Sequence, residues 1–275
     1  MKYIVTLLLL LFAPAAYAQN CGSVNLELVR MNSQPRVMVV GDSGAWGGMG
    51  LDLGWRGLLQ EKLDYSHRFV GRWGREQGYY TPTEVQPEFR RENHIDFKGY
   101  LYQGLGAHYS FPGAIASYWG ADWSILEYVE SVKGVEVFFP IPTTKDILMI
   151  GCGGGDVLFY TSVGTVAGIT RFVNYTAGVS ADINIFILAL APYYDSEDPE
   201  ETISKNADVD DMNIALESYV DGAGKANMYY VDTNTALRTD WHTTFSDDGV
   251  HANAAGLEVV AEAIYQAMVI NGLTS

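Results

Sequence analysis

A doubly wound α/β sandwich, with one parallel sheet held between helices in a single domain, is the fold class that this chain predicts. Three observations carry that expectation. Short, continuous apolar runs of strand length recur along the sequence, helix-length segments separate most of them, and glycine or polar residues stand directly after several of them. Strands that alternate with helical segments build parallel sheets covered on both faces, and such sheets bind their ligands just beyond the carboxyl ends of the strands.

The first run, Val37-Met38-Val39-Val40, follows Pro35 and is stopped by Gly41-Asp42-Ser43. An uninterrupted apolar, β-branched run suits a strand buried on both faces. Similar runs occur at Arg68-Phe69-Val70, Ile147 to Ile150, Ile185 to Leu190 and Met228-Tyr229-Tyr230-Val231. The acidic piece Asp195 to Glu201 reads as a solvated loop ahead of a helix over Ile203 to Val220. The closing helix is the clearest, because Asn253 can cap it and Leu257, Val260, Ala261, Ile264 and Met268 recur along one face. From Arg72 to Trp123 the rhythm lapses into Tyr, Trp, Gly and Pro with few aliphatic runs, which predicts an elaborated loop region.

The amino terminus has the layout of a secretory signal peptide: a lysine, an apolar run from Ile4 to Phe12, and the small-residue site Ala16-Tyr17-Ala18. Residues 1–18 are therefore expected to be removed, leaving one domain over 19–275 that is exported and soluble. That run is too short to span a bilayer, and no later stretch approaches the roughly 18 apolar residues a spanning helix needs. Cys21 does not sit in the surroundings of a lipidated cysteine. With 33 acidic against 17 basic side chains, a formal charge of −16, the composition disfavours nucleic acid and anionic membrane surfaces as partners. Cys21 and Cys152 could pair in an oxidising compartment, although a domain of this size does not need a disulfide. Neither belongs to a CxxC or Cys/His cluster, and His67, His94, His108 and His242 are scattered, so neither a metal site nor a cofactor is indicated.

Three segments fall where chemistry is expected: Gly41-Asp42-Ser43, the glycine-rich Gly151-Cys152-Gly153-Gly154-Gly155-Asp156, and Asp248-Gly249-Val250-His251 just before the last helix. A serine hydroxyl becomes a nucleophile when a histidine takes its proton and a carboxylate holds that histidine in the right tautomer. Asp248 and His251, three residues apart with Gly249 between, can fold into one turn that brings the carboxylate to Nδ1 and leaves Nε2 facing the site. Taken singly, each of these motifs also fits an ordinary helix cap or turn.

Taken together, they resemble the SGNH, or GDSL-like, hydrolases. In that family the nucleophile lies in Gly-Asp-Ser after the first strand, and Asp-x-x-His precedes the last helix. The continuation Asp248-Gly249-Val250-His251-Ala252-Asn253-Ala254-Ala255-Gly256 is similar to the family's block, with Ala252 where proline is usual. The resemblance implies a flavodoxin-like SGNH hydrolase fold, with Ser43 as nucleophile and Asp248 and His251 completing the triad. It also implies an oxyanion hole built from the Ser43 amide, a second-block glycine and a third-block asparagine. Tyr109-Ser110-Phe111-Pro112-Gly113 nominates Gly113 as the second donor, with Gly106 as runner-up. In the third block this chain departs from the pattern, because Gly155 stands at the asparagine position. A water, another amide or a side chain such as Asn184 could fill the place.

The reading these residues support is an esterase acting through an acyl-enzyme, with a small-molecule or polysaccharide ester as substrate. Short acyl groups, acetyl on carbohydrate in particular, fit the aromatic character of residues 72–123, since flat rings with polar edges suit sugars. A lipid or aryl esterase is the enzymatic alternative. A catalytically impaired carbohydrate-binding protein is the alternative from another class, and Gly155 is what invites it.

Overall fold

The structure is a computed structural model. It describes residues 34–42, 45, 54–71, 102–103, 109–110, 116, 124–154, 156, 162–194, 198–239, 241–245 and 248–274. Among these are the strands β1 (Arg36–Gly41), β2 (Arg68–Gly71), β3 (Tyr102–Gln103), β4 (Tyr109–Ser110), β5 (Ile147–Gly151), β6 (Asn184–Leu188) and β7 (Met228–Val231). The helices are α1 (Gly54–Lys62), α2 (Ile125–Ser131), α3 (Gly134–Phe138), α4 (Ser162–Val179), α5 (Pro199–Ala223), α6 (Thr233–Arg238), α7 (Trp241–Thr244) and α8 (Ala254–Ile270). The signal segment 1–18, Cys21 and most of the aromatic stretch 72–123 lie outside the described residues. Pro35–Ser275 is one compact unit.

Every apolar run singled out in the sequence contributes a strand. The sheet order is β3-β2-β1-β5-β6-β7. The five strands β2, β1, β5, β6 and β7 are mutually parallel and β3 runs antiparallel at the edge. This is the flavodoxin-like arrangement, with its switch point between β1 and β5. The register there runs from Val37 opposite Ile147 to Gly41 opposite Gly151, so both strands end side by side. On the other side of β1, β2 pairs as far as Met38 and β4 takes over at Val40.

Alternate residues of each strand go to opposite faces, and each face has its own core. Met38, Val40, Leu148, Ile150, Ile185 and Ile187 pack with α2, α3, α4 and Leu216 of α5. Val37, Val39, Ile147, Met149, Phe186 and Leu188 pack with α1, α6 and α8. The run of apolar residues in sequence is thus the signature of a strand with no solvent face. At the amino ends of the strands, Asp146 clasps the Arg36 backbone N–H at 2.9 Å and its guanidinium at 2.9 and 2.5 Å, tying β1 to β5. Among the described residues, no helix is long and apolar enough to cross a membrane.

One expectation changes here, and one open alternative closes. The acidic segment does not stay a loop until Ile203, because Asp198 caps a helix by accepting the Glu201 N–H, Pro199 occupies its first turn, and Glu200 and Glu201 face its positive end. Cys152 is a free thiol buried in the core, and burial pushes its pKa well above the ordinary thiol value. That side chain is inert packing, neither half of a disulfide nor a nucleophile.

One buried titratable group gives the fold a pH dependence. His67, between α1 and β2, is 2% exposed and its Nδ1 lies 2.9 Å from Ser66 Oγ. Burial outweighs the Leu273 backbone contact and lowers its pKa below the ordinary 6.5. Below that pH the unfolded chain takes up a proton that the folded chain refuses, so stability falls as pH drops through this window. Urea midpoints should therefore decline from pH 7.5 to 5.5, and more shallowly in His67→Gln; equal slopes in the two proteins would rule His67 out as the cause.

Candidate active site

The two strands at the switch point deliver the first two parts of the site. Just past β1, Asp42 is 9% exposed, and its Oδ2 accepts the N–H groups of Gly153 (3.1 Å) and Gly154 (3.0 Å) from the loop after β5. The Asp42 N–H donates in turn to the carbonyl of Gly151. Ser43, the expected nucleophile, follows Asp42 directly but lies outside the described residues, as do Gly106, Gly113 and Gly155.

The glycines of this loop have separate physical reasons. Gly153 sits at φ +132°, and a Cβ there would come within 2.7 Å of Leu190 and Thr165. Gly154 leaves room for the carboxylate, since a Cβ there would stand 3.2 Å from Asp42 Oδ2. The loop closes on itself through Asp156 N–H to the Gly153 carbonyl at 3.1 Å. Asp156 is fully buried, and its Oδ2 accepts the Ala116 N–H at 2.7 Å. Two buried carboxylates therefore tie three loops: Asp42 joins the segment after β1 to that after β5, and Asp156 joins the latter to the segment after β4.

The third part is the turn before α8. Asp248 Oδ1 accepts the N–H groups of Val250 and His251, both at 3.0 Å, while its Oδ2 lies 2.7 Å from His251 Nδ1. Gly249, at φ +66°, makes this tight turn possible. Burial alone would raise the Asp248 pKa, but the donations from the His251 backbone, its ring and the Val250 N–H together hold it below the ordinary 3.8. An ionised carboxylate only accepts hydrogen bonds, so Nδ1 carries the proton and Nε2 is left as the base. The turn is anchored on one side by Asn253, which caps α8 by accepting from Ala255 and Gly256 and donates to the carbonyls of Thr243 and Phe245. On the other side, the Tyr194 N–H, from the segment after β6, donates to the Gly249 carbonyl at 2.8 Å.

Asp248 and His251 are thus brought together as expected. Asn184 is not: its amide donates to the carbonyls of Thr144 (2.8 Å) and Asp146 (3.1 Å) at the start of β6, the end of the sheet opposite the site. It cannot serve as an oxyanion donor. The motifs point to the segments that hold Asp42 and Asp156 but not to the contacts these carboxylates make, nor to the tether at Tyr194. For Asp42 the legible signal is a carboxylate directly after a buried strand, where leaving it unpaired would be costly. Among the described residues, no cluster of three or more His, Cys, Asp or Glu could hold a metal ion.

No protein-family model matches the chain, and no curated protein does. Solved structures do match. A carbohydrate esterase family 3 protein from Talaromyces cellulolyticus superimposes with a TM-score of 0.57 at 17% identity, over 86% of this chain and 97% of that one. The aryl esterase of M. smegmatis gives 0.59 at 11% identity, over 86% and 99%. A member of the lipolytic G-D-S-L family from Veillonella parvula gives 0.56 at 12% identity, over 85% and 98%. The chain shares the α/β fold of these structures.

Proposed function

We propose that the protein is an exported carboxylic-ester hydrolase working through an acyl-enzyme, with acetyl esters of carbohydrate as its preferred substrates. The observation that carries this reading is the Asp248–His251 pair, held in one turn at 2.7 Å with Nε2 left as the base. In this reading Ser43 attacks the ester carbonyl while Nε2 of His251 takes the hydroxyl proton and then gives it to the leaving alcohol. Water deacylates the serine by the same proton route in reverse. Asp248 stabilises the imidazolium that forms in each half-reaction. The amides of Ser43 and Gly113 hold the oxyanion, and Gly155 contributes no side-chain donor. The signal segment 1–18 supports export, and the aromatic residues of 72–123 support a sugar-bearing alcohol. Neighbours in fold include a carbohydrate esterase and an aryl esterase, which favours ester hydrolysis without selecting the acyl group.

Two measurements test this. A fluorophosphonate probe should label the wild type and not Ser43→Ala; no labelling of the wild type would favour the non-catalytic carbohydrate-binding alternative. Turnover on p-nitrophenyl esters should fall from acetyl to octanoyl, whereas equal or greater turnover on the octanoyl ester would sink the acetyl reading in favour of a lipid or aryl esterase.

A further inference from the structure

The segment after β6 is held by an unusual set of contacts. Two asparagines on the buried face of α5, Asn206 and Asn213, each bind one residue of this segment through both its backbone groups. Asn213 accepts the Leu190 N–H at 2.8 Å and donates to the Leu190 carbonyl at 3.1 Å. Asn206 accepts the Tyr193 N–H at 3.0 Å and donates to the Tyr193 carbonyl at 2.7 Å and to Thr202 at 2.9 Å. The spacing is matched: seven residues of helix advance about 10.5 Å, and three residues of extended chain about 10 Å. The two amides therefore stand in for a neighbouring strand. Asn234 adds a second donor to the Leu190 carbonyl at 2.7 Å, and Thr233 donates to Ala189 at 2.9 Å. Arg238, paired with Asp210 at 2.6 Å, donates at 3.4 Å to Asn206 Oδ1, the same atom that accepts the Tyr193 N–H.

One residue beyond this clip, the Tyr194 N–H donates to Gly249, between Asp248 and His251. The chain of contacts from α5 to the turn is therefore short and unbroken: Asn206, the Tyr193 backbone, the Tyr194 N–H, the Gly249 carbonyl. Paired polar contacts of this kind at buried and half-buried positions favour one arrangement, because a displaced segment would leave several groups unpaired at once. We infer that Asn206 is a positioning residue for ester hydrolysis, clipping the 189–194 segment so that its tether to Gly249 holds the Asp248–His251 pair in register. The inference rests on the esterase reading above.

The decisive variant is Asn206→Ala, compared with Leu216→Ala, which removes a fully buried apolar side chain from the same helix. All proteins are assayed at 25 °C with p-nitrophenyl acetate and by NMR for the low-field resonance of the His251 Nδ1 proton, identified by its absence in His251→Ala. Asn206→Ala should lose about ten-fold in kcat with KM within two-fold, since a small misplacement of a catalytic group costs rate and not binding. Its low-field proton should broaden or vanish. Leu216→Ala should melt earlier yet keep its kcat and its proton resonance. The inference is overturned if Asn206→Ala keeps kcat within two-fold and a sharp resonance, or if Leu216→Ala loses as much kcat. Should Asn206→Ala not fold, Asn206→Asp, which keeps an acceptor for the Tyr193 N–H but no donor for the Tyr193 carbonyl, is judged by the same criteria. His251→Ala and Ser43→Ala serve as separate controls: wild-type rates in both would mean that the esterase reading has failed, whatever Asn206 does.

Discussion

Replacing Asp248 by asparagine should lower kcat on acetyl esters about 10⁴-fold while leaving the fold intact. The two carboxylate oxygens do different work. Oδ1 accepts the backbone N–H groups of Val250 and His251, a task the asparagine carbonyl can take over, so the turn should survive. Oδ2 faces His251 Nδ1 at 2.7 Å, where asparagine would present an N–H group instead. Two donors cannot share that contact, so the ring turns to its other tautomer with the proton on Nε2, and the base proposed to serve Ser43 is lost. Asp248→Ala should lose a comparable rate but also stability, because two N–H groups lose their acceptor. The informative comparison is kcat and melting temperature for both variants. An Asp248→Asn protein within ten-fold of the wild-type kcat would show that this carboxylate does not set the tautomer of a working base. Because the native contacts hold the Asp248 pKa below 3.8, its contribution to stability is lost only at acidic pH, apart from the window where His67 titrates.

What could be read from the chain alone follows from how local each cause is. β1, β5 and β6 are buried on both faces, so burial is written as an unbroken apolar run. The last helix announces itself through a cap at Asn253 and a periodic apolar stripe. β3 and β4 are two-residue strands without a pattern of their own, existing only because β2 and β1 offer edges to pair with. The beginning of α5 is hard to read in the sequence because Asp198, Glu200 and Glu201 have the composition of a solvated loop, whereas they form a cap and a favourable first turn. The same division runs through the site. Asp248 and His251 are three residues apart and meet within one turn, so their spacing is the evidence. Asp42 meets Gly153 across 111 positions, and Asn206 meets Tyr193 only because α5 folds back on the segment after β6. Polar residues at Asn206 and Asn213 among the buried Val209, Met212 and Leu216 were the one available hint, since an apolar helix face does not accept amides without partners.

Removing the Asp42 carboxylate should damage both stability and catalysis, and the two losses can be separated. In Asp42→Ala, the Gly153 and Gly154 N–H groups lose a shared, mostly buried acceptor, and charge-assisted bonds of this kind contribute about 1.5 to 3 kcal/mol each. A loss near 3 kcal/mol would lower the melting temperature by about 10 °C in a domain of this size. The activity loss has a different origin. Asp42 joins the backbone just before Ser43, the proposed nucleophile, to the Gly153-Gly154 loop after β5, so without it those two segments are no longer held to one another. Misplacement of about 1 Å costs up to about 100-fold in rate, and kcat should fall accordingly at temperatures where the variant is fully folded. Asp42→Asn retains one acceptor for the two glycines and should fall between the variant and the wild type on both measures. If Asp42→Ala melts early but keeps its kcat at 25 °C, the carboxylate is only a structural knot, and the placement of Ser43 must be fixed by the backbone register of β1 against β5 alone.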